Sequence, residues 1–280
     1  MFVLYFFAWR EIWGFTLPSR QKGCHLIALR TDRELEHIRA SCKVVGLAHR
    51  ALKDLINPGV RTDELDRIAE EVVRDHGAEP AFKGYHGYPA TICISINEQV
   101  VHGIPGSRVL QEGDLVSIDI GAKMNGYYGD QAISFPVGEV TPGVDKLMKV
   151  TRESLLKGIG RAENGGRLGD ICGAVQSWVE QHGYSIVRQF VGHGIGRNLH
   201  EDPAVPNYVP LDRNPRLRKG LVLAIEPMVN LGKPGVTVAA DGWTASASDG
   251  LHSAHFEHVI AISDDAPIIL TMTEEEIGIG

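Results

Sequence analysis

Four carboxylates and several histidines in this chain stand at spacings that would let them share one task. Asp119 and Asp130 lie eleven residues apart in SIDIGAKMNGYYGD (117–130), on two apolar stretches joined by a Gly-containing turn. Aspartate is a poor strand residue and costly to bury. A turn centred on Asn125-Gly126, a favoured two-residue hairpin pair, opposes Asp119 to Ala132 and puts Asp130 on the same face as a diagonal neighbour. A slip of one residue would send the two carboxylates to opposite faces. Like charges that close repel, so either one carries a proton or a cation sits between them. Glu226, at the end of an apolar stretch, and Glu257, in AHFEHVI (254–260), form a second pair. Their odd separation lets a wider hairpin place both on one face.

His193 adds an imidazole, in GHGIG (192–196), where the flanking glycines permit a close backbone approach or positive φ. His200 follows seven residues on, ahead of Glu201-Asp202-Pro203. Four carboxylates with one ring nitrogen suit two adjacent divalent ions, namely manganese, iron(II), cobalt or zinc, and not a thiolate zinc site. A single strand aspartate or turn histidine is usually structural. The pairing in both halves of the chain is what carries the metal reading.

The elements that must hold these groups are legible in outline. Thr31 with Glu34 makes a capping box, and Leu35, Ile38, Val45, Leu52, Leu55 and Ile56 follow at helical spacing until Asn57-Pro58-Gly59. A second helix is expected over 62–76, ending at Gly77. Residues 91–97, 115–121 and 128–137 are β-like. Thr141-Pro142 opens a third helix to about Ala162, and a fourth spans Leu168 to His182, ending at Gly183. The remainder reads mostly as strands and loops. The order repeats. Arg61 to Gly77 resembles Arg167 to Gly183, GDLVSID (113–119) resembles GLVLAIE (220–226), and His102-Gly103-Ile104 resembles His193-Gly194-Ile195. Their common order points to an internal duplication. Two such halves about an approximate two-fold axis would bring Asp119 and Glu226 to one site.

Composition excludes several classes. A chain of 280 residues that is 43% hydrophobic and 22% charged is globular rather than fibrous or membrane-spanning. A net charge of −7 argues against a sequence-specific nucleic-acid binder. The basic run Arg213, Arg216, Arg218 and Lys219 reads as a solvated loop. Cys24, Cys42, Cys93 and Cys172 form no CxxC pair, which fits a reducing, cytoplasmic setting. The opening MFVLYFFAW is too short to span a bilayer and lacks the basic start of a signal peptide. Residues 1–30 are taken as an N-terminal extension of unknown role, open between a mobile arm, a surface anchor and a mistaken start. Residues 31–280 form the catalytic unit, with pseudo-repeats at about 31–137 and 138–272.

Together VHGIPG (101–106), SIDIGAKMNGYYGD, GHGIGRNLHEDP (192–203), AIEPM (224–228) and FEH (256–258) resemble type I methionine aminopeptidase, from about residue 31 to 272. The order of the five ligands is specific to the wider pita-bread metallopeptidases. TICISINEQVVHGIPG narrows the match to the methionine branch, and the uninterrupted run from His193 to Glu226 to type I. The resemblance implies an α+β pita-bread fold, with duplicated helix-helix-strand halves around a central antiparallel sheet. It implies removal of the initiator methionine from peptides and nascent proteins, preferring a small second residue.

Asp119, Asp130, His193, Glu226 and Glu257 would hold two divalent ions (cobalt, manganese, iron(II), zinc or nickel), with Asp130 and Glu257 bridging. A metal-bridging water would be the nucleophile and Glu226 the general base. His102 would meet the scissile amide, and His200 the scissile carbonyl. Tyr85, Tyr88, Cys93 and Trp243, with Phe82 and Leu199, would line an apolar methionine pocket. A monovalent cation would sit near Asn97, Gln99 and Ser253. A monomer with transient ribosome contact and no membrane partner is expected. The absence of a Cys-rich zinc-binding extension favours the bacterial type. The rival readings are an Xaa-Pro aminopeptidase or prolidase of the same fold, which usually carries a sizeable extra N-terminal domain, and a non-catalytic binder, which loses ligands.

Overall fold

Helix α1 (Asp32–Lys53) opens at the expected capping box. The Thr31 hydroxyl accepts from the Glu34 N–H, and the Glu34 carboxylate accepts from the Thr31 N–H. In the computed structural model, which describes residues 27–210 and 214–279, nearly the whole extension, with Cys24, lies outside the described residues, as does Arg213. Ile38, Cys42, Val45, Ala48 and Leu52 form the buried face of α1, at the three- and four-residue steps of one helix side. The helix stops at Lys53, one turn ahead of Asn57-Pro58-Gly59. A residue before proline is pushed out of the helical region, and the Asn57 amide instead donates to the Asp54 carbonyl at 2.8 Å.

Helices α2 (Thr62–Asp75) and α4 (Leu168–Gln181) match residue for residue at their ends. Each follows an arginine N-cap, and each is closed by a His-Gly pair with the glycine at positive φ, 74° at Gly77 and 81° at Gly183. The expected duplication is thus visible in backbone geometry. Helix α3 (Pro142–Ile159) begins with Thr141 as N-cap and proline in its first turn, where a missing N–H costs nothing. A short α5 (Glu274–Ile277) closes the chain.

The first half contributes strands β1 (Glu79–Pro80), β2 (Ile92–Ile96), β3 (Gln99–Val101), β4 (Leu115–Met124) and β5 (Tyr127–Pro136). The second contributes β6 (Ser185–Ile186), β7 (Gly192–Gly194), β8 (Glu201–Val205), β9 (Val222–Ile225), β10 (Met228–Asn230), β11 (Val236–Val238), β12 (Ala245–Ala247), β13 (Ser253–His255), β14 (His258–Ala261) and β15 (Ile268–Ile269). Every described ladder is antiparallel. One sheet runs β1-β4-β2 with β5 also on β4. Another runs β15-β14-β9-β7-β8, and two three-stranded sheets, β13-β10-β6 and β11-β12-β3, complete the set.

The β4–β5 hairpin has the register the sequence predicts. Asp119 opposes Ala132 and Asp130 opposes Gly121. Asn125 and Gly126 both have positive φ, 53° and 78°, as a primed turn requires.

The halves are stitched along one seam. Glu257 N–H donates to Ala132 O at 2.8 Å. The Ser134 hydroxyl donates to His255 O at 2.8 Å and accepts from His255 N–H at 2.9 Å. Helix α1 lies on β5 from behind, with the Ser41 hydroxyl donating to Tyr127 O at 3.0 Å and His49 Nε2 3.0 Å from Gln131 O. The core beneath is mainly Ile, Leu and Val, such as Ile92, Ile118, Ile133, Leu147 and Leu223, each at most 1% exposed. Side chains of this size contribute about 1.5–3 kcal/mol each on burial. Cys42, Cys93 and Cys172 are free and buried. No helix among the described residues is long and apolar enough to cross a membrane.

Candidate metal centre

The seam places the second carboxylate pair. Strand β9 pairs with β14 so that Ile225 opposes His258, and β10 pairs with β13 so that Met228 opposes His255. Glu226 and Glu257 therefore stand opposite one another at the break between the two ladders, where Pro227 cannot donate to either. On the other side, Cys93, Asp119 and Ala132 form one row across β2, β4 and β5. The row continues through the Ala132 carbonyl to Glu257.

These elements surround one narrow cavity. It is lined by Asp119, Asp130, His193, Glu226 and Glu257, by His102 and His200, and by Phe82, Cys93 and Val101. Asp130, His193 and Glu257 each offer a ligand atom within 4.8 Å of the other two. His193 Nε2 lies 3.5 Å from Glu226 Oε1 and 4.0 Å from Asp130 Oδ2. Its Nδ1 lies 2.9 Å from the Gly194 carbonyl, which can only accept, so Nδ1 carries the proton and the Nε2 lone pair faces the carboxylates. A ligand imidazole is held in the same way.

The glycines around His193 work by close approach and not by positive φ. A Cβ on Gly192 would lie 2.3 Å from Ala224 O, and one on Gly194 2.4 Å from Asp202 O. His200 is carried round by the following turn until its ring centroid is 4.4 Å from that of His193. His102 has φ 61°, a costly backbone for a non-glycine residue, and its ring meets Phe190 edge-on at 5.3 Å.

The electrostatics are those of carboxylates buried beside one another. Burial pushes the Asp119 carboxyl up to about 7, and Asp119 and Asp130 are close enough to share a hydrogen bond. Asp130 is raised well above the usual range by burial and then by the charges of Glu257 and Asp119. Glu226 is raised by burial and then by Asp119 and Asp130, and Glu257 by burial and then by Glu226 and Asp119. Burial holds His193 down to about 4 and His102 down to about 3, the latter helped by His255. His200 is held well below its ordinary value by burial and its histidine neighbours. Asp119 Oδ1, Asp130 Oδ1 and Glu257 Oε1 are buried with no hydrogen-bond partner among the described residues. Orphaned anionic oxygens of this kind are expensive unless something positive meets them. The donor set therefore fits hard divalent cations.

Of the six expected pocket residues, Phe82 and Cys93 line the cavity, while Tyr85, Tyr88, Leu199 and Trp243 belong to the apolar cluster around it. Tyr88 is only 1% exposed; its hydroxyl donates inward to the Ile92 and Gly103 carbonyls, and its ring meets Trp243 edge-on at 5.1 Å. Near the expected monovalent site, Asn97 has φ 58° and its carbonyl accepts from Ser253 N–H at 2.9 Å. The Gln99 side-chain oxygen accepts from Ile96 N–H at 2.8 Å and is engaged in the turn.

Four neighbours of the site were not singled out from sequence. Val101 lines the cavity, Phe190 backs His102, His255 Nε2 lies 3.8 Å from Glu226 Oε2, and Asn207 Nδ2 donates to Glu226 O at 2.9 Å. His255 carried a signal, since it stands two residues from Glu257. The others come from long-range packing.

The profile of metallopeptidase family M24 matches residues 36–264. The chain is 52% identical to methionine aminopeptidase 1 of Bacillus subtilis, over 88% of this chain and 99% of that protein. It superposes on the crystal structure of a methionine aminopeptidase from Thermotoga maritima with TM-score 0.87 at 44% identity, covering 89% of this chain and 100% of that one. Prolidase from Pyrococcus furiosus shares the fold at TM-score 0.72 and 24% identity, and only 66% of that chain is covered. The architecture is the pita-bread fold.

Proposed function

The chain belongs to metallopeptidase family M24, and from that premise we propose that it removes N-terminal methionine from peptides and nascent proteins, preferring a small second residue. The observation that carries this reading is the convergence of Asp119, Asp130, His193, Glu226 and Glu257 on one cavity, with buried oxygens that lack partners. These five residues would hold two divalent ions. When bound, such ions supply an acidified water and a Lewis acid for the scissile carbonyl.

The protein's own groups do the rest. Glu226 takes the proton of the attacking water. Asn207 holds the backbone of that residue through its carbonyl, and His255 Nε2 stands 3.8 Å from its carboxylate. His102 meets the scissile amide and assists as the proton taken by Glu226 passes to the departing nitrogen. His200 donates to the carbonyl oxygen as it gains charge. Phe82 and Cys93 bound the methionine side chain, with Tyr85, Tyr88, Leu199 and Trp243 behind them. Thiol and aromatic walls suit a flexible thioether. A monovalent cation would sit near Asn97, Gln99 and Ser253.

The test is a peptide panel run with added manganese, cobalt or iron(II). Methionine should be released from Met-Gly and Met-Ala peptides and not from Met-Lys ones. Preferential cleavage of Xaa-Pro peptides would overturn the assignment.

A further inference from the structure

Tyr85 sits in a turn built at some cost. Gly84, His86 and Gly87 all have positive φ, 85°, 48° and 91°, and His86 is not a glycine. Backbone hydrogen bonds lock the turn: Gly84 N–H to Tyr88 O at 2.8 Å, Tyr85 N–H to Phe82 O at 2.9 Å, and Tyr88 N–H to Tyr85 O at 2.9 Å. The His86 ring abuts the Tyr85 ring edge-on at 4.4 Å. Strain of this kind persists where the surroundings enforce it, and it clusters at working sites. Its product here is one contact: the Tyr85 hydroxyl lies 2.8 Å from His200 Nδ1.

We propose that Tyr85 is a positioning residue whose O–H donates to His200 Nδ1, thereby keeping the proton of His200 on Nε2 and aiming that N–H at the substrate carbonyl. The inference rests on the role given to His200 above. A neutral imidazole carries one N–H, and the hydrogen bond at one nitrogen decides which nitrogen bears it. If Nδ1 accepts, Nε2 donates. The reverse arrangement, Nδ1–H to the phenol oxygen, would turn an Nε2 lone pair toward the carbonyl oxygen, and the two would repel. Burial pushes the Tyr85 hydroxyl up to about 12, so it holds its proton throughout the working range. An apolar pocket wall needs only the ring of Tyr85. The hydroxyl answers to His200.

The test has a spectroscopic and a kinetic arm, both on full-length zinc-loaded protein. Nitrogen-15 histidine spectra, with His200→Gln to identify the resonance, should show the proton on Nε2 and Nδ1 as a hydrogen-bonded acceptor. In Tyr85→Phe the Nδ1 signal should move to that of a bare nitrogen. On a Met-Ala peptide, Tyr85→Phe should lower kcat by about tenfold, a fraction of the loss expected for removing such a donor outright, with KM little changed. Combined with His200→Gln it should add nothing further. A proton on Nδ1 of the wild-type residue overturns the proposal. So does unchanged kcat in Tyr85→Phe, or a rise in KM alone, which would mark Tyr85 as pocket wall only. If the wild-type protein releases no methionine, the functional reading fails, while the spectra still decide the Tyr85–His200 bond.

Discussion

Asp130 and His102 both face the cavity, yet removing either should have different results. Asp130 has one orphaned oxygen and another 4.0 Å from His193 Nε2, beside the hydrogen bond it shares with Asp119. Asp130→Asn exchanges one acceptor for a donor. Metal occupancy, read by elemental analysis, should fall, and activity should drop by about 100-fold or more, beyond the range seen when only a supporting partner of a ligand is lost. His102 packs against Phe190 and is assigned no cation. His102→Ala should leave metal content near normal while lowering kcat by about 10²–10⁴, the usual worth of a group positioned to assist proton transfer. Loss of metal in that variant would contradict its assignment to the leaving group. Asp130 stood out in the sequence by its spacing from Asp119, and His102 through the family resemblance of VHGIPG (101–106). Phe190 and Asn207 did not, because nothing local marks a phenylalanine or asparagine that will back a distant histidine or glutamate.

Among the elements, the β4–β5 hairpin depends on how closely α1 can approach. A Cβ on Gly129 would lie 2.4 Å from Cys42 N and 2.7 Å from Ser41 C, both in the helix backbone, which cannot rotate away. Gly129→Ala should therefore push α1 off the strand that carries Asp130. A stability loss of about 1–3 kcal/mol in urea denaturation is expected, with weaker metal binding. Gly106→Ala, where no atom lies within 4 Å, is the control and should be near neutral. A wild-type unfolding curve for Gly129→Ala would refute the contact. The hairpin register was legible because Asn125-Gly126 admits only one close pairing. The Glu226–Glu257 pairing was legible only as parity. Another hairpin, β11–β12, lies between those residues, and Pro227 interrupts the ladder at the critical place. The contact of β5 with Glu257 is set by tertiary packing, which no local pattern encodes.

For the molecule as a whole, the cluster ties stability to pH and metal. Asp119 titrates at about 7 in the folded metal-free protein, against 3.8 for an ordinary aspartate. Between those values the folded state binds a proton that the unfolded chain gives up, so this group's contribution to stability falls as pH rises. Asp130, Glu226 and Glu257 shift in the same direction. His193 is neutral in the fold above about 4 whereas the unfolded imidazole keeps its proton up to about 6.5, so between those values it acts in the opposite direction. Divalent ions replace the protons. The gain in Tm on adding manganese to chelator-treated protein should therefore grow from pH 5 to pH 7.5, with protons released on binding. A gain independent of pH would show that the carboxylates are already ionised without metal.

The hydrogen bond from Glu257 N–H to Ala132 O also orders events in time. A ribosome makes the chain from Asp119 toward Glu257, so the first hairpin is complete long before its partner carboxylates exist. Through that interval Asp119 and Asp130 have neither a His193 nor a closed seam to justify their burial. The seam that closes the cavity can form only once Glu257 has been made. A protein proposed to trim newborn chains thus becomes competent only after its own second half has emerged.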